Sequence, residues 1–354
     1  MKYTSTSLKE HAGINLKGWP AWIGALALVW SALYGALHLY WLLSGEGYPF
    51  GKSSDLGPFT PVVTYLPAQV GGSLFVILCL LGVLIGIAMW QTWGRVLPRW
   101  FVLAYSWGFA AGLLLFVPDT RLIAAMAYAF LFKFAFTWQM LNQVICLLGA
   151  LLWGFAAVVY QRKMRHTCLY CGRTGHDGSF FLVRWRRWIT VLAALAPLPY
   201  ALIRWAWALN IPLGVDSQFL PEFSRVNPMA TITEWTFGAL CIGGGLLTLG
   251  LIQKWGEIFP RWFPFIGGKN VPVLLAVLPA SLVAIAVTAA GFVFTYSFIA
   301  VMLHLVPVEG IFVGQLWGAV GPTLLWIPWG VALGLATIAY AYRRRGRCKH
   351  CGLA

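Results

Sequence analysis

Eight stretches of this chain are each apolar over roughly the length that crosses a bilayer, and no other feature limits its fold as severely: residues 20–43, 70–91, 99–117, 138–160, 188–209, 234–253, 271–296 and 320–342. A helix needs about 20 apolar residues to cross the hydrocarbon core. Inside lipid it must also satisfy its own backbone hydrogen bonds, which leaves helices or closed barrels as the only spanning structures. An all-α, polytopic membrane fold of eight transmembrane helices follows. Composition agrees, since only 10% of residues are charged, against about 25% in soluble domains. Two further apolar stretches are interrupted, 122–137 by Lys133 and 298–318 by His304, Pro307 and Glu309. They are expected to re-enter the membrane or lie at its surface.

The net charge of +15 does not point to nucleic acid, because the basic residues form no single solvated face. They gather at the ends of apolar runs. Segments 1–19, 92–99, 161–187, 254–270 and 343–354 hold 20 of the 25 Lys and Arg residues, and these segments fall on one side when both termini do. The positive-inside rule makes that side cytoplasmic. A multipass protein of the inner membrane, in contact with its lipids, is the expectation. The N-terminal MKYTSTSLKEHAGINLKGW has no short apolar core with a small-residue cleavage site, so no removable signal peptide is read there.

The chain repeats itself. QTWGRVLPRWF at 91–101 matches QKWGEIFPRWF at 253–263, 253 − 91 = 162 residues on, and the same offset pairs Cys79 with Cys241. Upstream, Tyr34, His38 and Trp41 correspond to Tyr200, Arg204 and Trp207; downstream, Cys168, Cys171 and Gly172 correspond to Cys348, Cys351 and Gly352 at an offset of 180. Four spans per copy put both copies in the same orientation. The expected arrangement is two parallel four-helix repeats about a pseudo-two-fold axis along the membrane normal, as in some transporters. The chain then divides into a first repeat (1–160), a connector (161–187), a second repeat (188–342) and a tail (343–354).

Both the connector and the tail carry C-x-x-C-G. Such a knuckle places two sulfurs on a tight turn, and two knuckles supply the four ligands of a closed structural zinc site. Cys168, Cys171, Cys348 and Cys351 are therefore the candidate zinc ligands, with His166, His176 and His350 as substitutes. The abundant Arg and Lys nearby favour thiolate over thiol. A cysteine pair at a bundle end also resembles the four-span quinone-linked thiol oxidases, a likeness of placement alone that implies redox chemistry. Those enzymes work on the outer face, whereas the charge rule puts these pairs in the reducing cytosol, where metal binding is the commoner use. The other three cysteines, Cys79, Cys146 and Cys241, fall within spans as small apolar residues.

Ionisable and amide side chains inside spans mark functional sites by default. His38 and Arg204 occupy one repeat position, Glu234 opens the sixth span, and Gln139, Asn142 and Gln143 share a stripe of the fourth. Together they are candidates to line an outer-half pocket for a small or lipid-like molecule. Against this, Arg204 can reach the headgroups with its long side chain, and His38 can be a packing histidine. Most of the 20 tryptophans lie at span ends as an interfacial belt. The W-G-x-x-x-P-R-W-F hairpins combine a fixed turn with Arg and Trp suited to lipid headgroups. Three functions fit these features: a binder or transporter stapled by zinc, a membrane enzyme of thiol-redox or lipid-modifying type, and a scaffold or sensor.

Overall fold

A computed structural model describes residues 18–50, 66–90, 97–118, 122, 137–173, 181–262, 264–304 and 312–353. The first part of the first hairpin motif (91–96), most of the loop between the first two spans and nearly all of the 122–137 stretch lie outside these residues. The described helices are α1 (Trp19–Ser44), α2 (Ala68–Trp90), α3 (Arg99–Phe116), α4 (Trp138–Met164), α5 (Phe181–Leu195), α6 (Leu198–Ala208), α7 (Phe219–Val226), α8 (Ala230–Leu249), α9 (Val273–Met302), α10 (Leu316–Val320) and α11 (Trp326–Arg344). Eight helical segments among them are long and apolar enough to cross a membrane, α5 and α6 forming one span and α10 with α11 another. No strand occurs among the described residues beyond one bridge between Ile258 and Asn270. The chain is a multipass, all-helical membrane protein.

Local sequence explains the helix ends. Pro20 occupies the first turn of α1, where its missing N–H costs nothing, and Gly45 closes the helix at φ 73° while its N–H donates to the Trp41 carbonyl. Thr137 caps α4 by accepting from the Met140 N–H, and Arg162 and Lys163 face the negative end of its dipole. Pro197 cannot donate the next hydrogen bond, so the fifth span breaks between α5 and α6. Helical structure begins at Phe181, seven residues before the apolar run, because the arginine stems of this stretch continue the helix into the interface. The sixth span opens at Ala230, placing Glu234 a full turn inside it, and α9 runs on to Met302, absorbing the start of the 298–318 stretch. Phe312–Val320 then lead into the eighth span.

Small residues let the helices approach. A Cβ at Gly149 would collide with Trp30, whose indole N–H donates to the Ile145 carbonyl at 3.0 Å. Gly82 lies against Ser31, Tyr105 and Trp153, and the buried Trp153 donates to the Ser31 hydroxyl at 3.0 Å. Close backbone approach and interhelical hydrogen bonds replace the hydrophobic effect that lipid does not supply. In the first half α1 packs on α2 and α4, and α3 on α4; in the second, α5 and α6 pack on α8, α5 on α11, and α9 on α11. Thus first, second and fourth spans, and third and fourth, are neighbours in both halves. The halves touch each other through their third spans, α3 and α9.

Candidate metal centre and buried polar sites

Both knuckles are built by the same backbone bonds. In the first, the Cys168 N–H donates to the Arg173 carbonyl (3.2 Å) and the Gly172 N–H to the Cys168 carbonyl (2.7 Å); in the second, the Cys348 N–H donates to Leu353 (2.9 Å) and the Gly352 N–H to Cys348 (2.9 Å). Each turn closes on a glycine at φ 72°, a left-handed conformation that a Cβ would strain. Arg162, in the last turn of α4, reaches across the first knuckle to the carbonyls of Leu169 (2.8 Å) and Tyr170 (3.1 Å).

The knuckles meet. All four sulfurs lie within 4.8 Å of one another, and Cys171 and Cys351 Sγ are 3.5 Å apart. A tetrahedral centre with metal–sulfur bonds of about 2.3 Å requires sulfur–sulfur edges of about 3.8 Å, so the cluster has the dimensions to hold a metal ion. The residues facing each other hold matching places in the two knuckle sequences. Tyr170 stacks on His350 with ring centroids 3.5 Å apart, Cys171 meets Cys351, and Arg173 donates to the Leu353 carbonyl at 2.6 Å.

This clasp has supports besides its sulfurs. The buried Arg173 also donates to the carbonyls of Gly346 (2.9 Å) and Arg345 (3.1 Å), and Arg345 returns a bond to the Cys171 carbonyl (3.0 Å). Trp19, opening α1, lies edge-on to Tyr170 at 6.4 Å, so the start of the first span, the connector and the tail share one end of the bundle. Electrostatics distinguish the sulfurs. Backbone N–H groups of Cys351 and His350 hold the Cys348 thiol down at about 6, whereas burial and the neighbouring sulfurs push Cys171 up to about 12. Four adjacent thiolates repel one another, and a cation removes that conflict.

The polar residues of the spans form two groups, one in each half. His38 is fully buried within rings of Tyr34, Trp41, Tyr48, Phe50 and Phe75, with centroids 4.5 to 6.4 Å away. Both its ring nitrogens lack a hydrogen-bond partner among the described residues. One turn earlier, the Tyr34 hydroxyl donates to Asn142 Oδ1 at 3.0 Å and touches Cys146 Sγ at 3.0 Å. Asn142 and Gln143 are buried, while Gln139, near the start of α4, is exposed.

In the second half Arg204 donates to both carboxylate oxygens of Glu234, at 3.0 and 3.1 Å. Its guanidinium lies 4.7 Å from the ring centre of Tyr200 and 5.0 Å from that of Trp207. The long side chain therefore turns inward to an ion pair, not outward to the headgroups. No family model, curated protein or solved structure matches this chain. Its chemistry is read from its own residues.

Two features escaped sequence reasoning. Arg343 pairs with Glu257 and donates to the Leu251 carbonyl (2.9 Å), Arg344 donates to Val271 (2.7 Å), and the Tyr340 hydroxyl donates to Gly256 (2.7 Å). The end of α11 thus holds the segment 251–271. Glu257 is one of few acids among many cations on that side, and this scarcity was the available signal. The second feature is a partly open cavity of about 750 Å³ lined by α8, α9, α11 and the same segment. Part of its wall, Trp255, Gly256, Phe259, Pro260 and Trp262, belongs to the second copy of the hairpin motif; the rest are ordinary apolar residues that carry no signature.

Proposed function

We propose that this protein is a membrane-embedded binder or transporter of a small or lipid-like molecule, built from two repeat-related halves and stapled at the cytoplasmic face by one zinc ion. The observation that carries the reading is the cluster of Cys168, Cys171, Cys348 and Cys351, in which sulfurs from two distant points of the chain converge. Four thiolates in tetrahedral reach suit zinc, and such structural sites contribute folding energy directly. The charge distribution supports a cytoplasmic position for the clasp. Zinc supplies no reaction here; it would tie the fourth span of one half to the eighth span of the other at a single end.

Binding is supported by the polar groups left within the spans. His38, Asn142 and Arg204 each keep a buried nitrogen without a partner among the described residues, and such orphans are expensive unless a ligand or water uses them. The metal reading is tested by elemental analysis of purified protein: one zinc per chain, lost from the Cys168→Ser/Cys348→Ser variant. A metal-free protein with a titratable thiol pair would overturn it in favour of redox chemistry. The ligand reading is tested by thermal-shift screening of wild type against His38→Ala and Arg204→Ala. Unchanged ligand responses in both variants would end it.

A further inference from the structure

The cavity in the second half is membrane-level in position but closed at one end by a charged segment. Its walls come from the last turns of α8 (Gly244, Leu247, Thr248), the first turns of α9 (Leu275, Pro279, Val283) and α11 (Trp329, Leu333). No ionisable side chain lines it. The only side-chain hydroxyl is that of Thr248, already donated to the Gly244 carbonyl at 2.8 Å. A volume of about 750 Å³ falls in the usual range of ligand sites, about 300–1,000 Å³, and its lining is almost wholly apolar, the indole of Trp329 being among its few polar groups.

The closing segment, 251–271, has the opposite character at its rim. Trp255, Pro260 and Trp262 contribute to the wall, while their neighbours Lys254 and Arg261, with Lys269 further on, are exposed cations. Its one acid, Glu257, is paired with Arg343, leaving the rim positive. Trp262 and Phe265 are 77% and 95% exposed, as expected of rings seated among headgroups. The segment joins two span ends, so it lies at headgroup depth. Apolar space inside, cations at the mouth and aromatic anchors beside them match one chemistry, an acyl chain carrying an anionic head.

We propose that this cavity is a binding site for an anionic phospholipid of the clasp-side leaflet, with an acyl chain between α8 and α9 and its phosphate on Arg261 and Lys254. The site lies wholly in the second half, apart from the buried polar groups and the cysteines, and it stands whether or not zinc or another ligand is found.

Native mass spectrometry of the full-length protein in mild detergent tests this, with phosphatidylglycerol, phosphatidylcholine and palmitate added separately. The expected result is one phosphatidylglycerol retained per chain in preference to phosphatidylcholine. Gly244→Phe should abolish retention, because a side chain there meets nothing within 4 Å and would fill the cavity. Lys254→Gln and Arg261→Gln, both on the surface, should each weaken retention about fivefold and together about 30-fold. The surface pair decides the matter if Gly244→Phe fails to fold, as judged by its thermal unfolding. Equal retention of the two phospholipids, palmitate held as firmly as phosphatidylglycerol, or no effect of the paired glutamines would each overturn the proposal.

Discussion

His38 and Arg204 fall at matching places in two similar stretches of sequence, and each is framed by the same two ring types yet meets different electrostatics. A tyrosine four residues before and a tryptophan three residues after flank each: Tyr34 and Trp41 in the first half, Tyr200 and Trp207 in the second. What differs is the facing span. Glu234 of α8 meets Arg204 there, whereas α2 sets the ring of Phe75 against His38 at 4.5 Å; in sequence, the offset 234 − 162 = 72 matches Gly72 to Glu234. Charge therefore comes as a pair or not at all. One frame holds an imidazole with no ion partner, the other a guanidinium paired across spans.

The largest effect is expected where that pairing is broken from one side. Glu234 is only 3% exposed, and Glu234→Ala leaves a buried guanidinium without its counter-ion. Removing one partner of a buried pair typically costs about 3–5 kcal/mol. Thermal and denaturant unfolding in detergent should report a loss of this size. A loss under about 1 kcal/mol would mean that Arg204 reaches water or headgroups after all.

A smaller effect is expected when the first half's solution is moved whole into the second. Arg204→His/Glu234→Gly removes both charges and recreates the His38 and Gly72 combination within a frame of the same two ring types. The glycine costs about 1 kcal/mol in a helix, and the lost packing of two long side chains adds to it. The double variant should nonetheless be more stable than Glu234→Ala alone in the same unfolding measurement. If it is the less stable of the two, the halves are not interchangeable at this position.

The legible parts of this molecule are those fixed by periodic or counted features. Span length and apolarity placed eight membrane-crossing helices, and the spacing of Cys168, Cys171, Cys348 and Cys351 in matched copies anticipated the sulfur cluster. Span ends were less readable. The arginines before Trp188 look like a loop by hydropathy, yet Arg186 donates to the Val183 carbonyl at 2.9 Å within α5. The ion pair across spans was not readable either: Arg204 and Glu234 could be grouped as pocket residues, but nothing in their local pattern says that residues 30 apart will bind each other. The cavity was beyond reach for a related reason. An empty space is a property of several helices at once, and Gly244, Pro279 and Trp329 reveal it only when assembled.

The smallest effect on stability, and the sharpest on ligand, is expected from His38→Phe. A phenyl ring fits a cage already made of rings, among which Phe75 stacks on His38 at 4.5 Å with an interplanar angle of 21°. Volume-conserving apolar changes in cores usually cost less than about 1.5 kcal/mol. Here the change also removes two buried nitrogens that have no partner among the described residues, a burden of about 1–3 kcal/mol for each unsatisfied group. The variant should therefore unfold at the same temperature as wild type or higher. A histidine kept at such a cost has to be used for something other than packing. A ligand that stabilises wild type and leaves His38→Phe unmoved would identify that use. If the ligand response survives the substitution, the imidazole is a packing residue, and the contrast with Arg204 reduces to two ways of filling one aromatic frame.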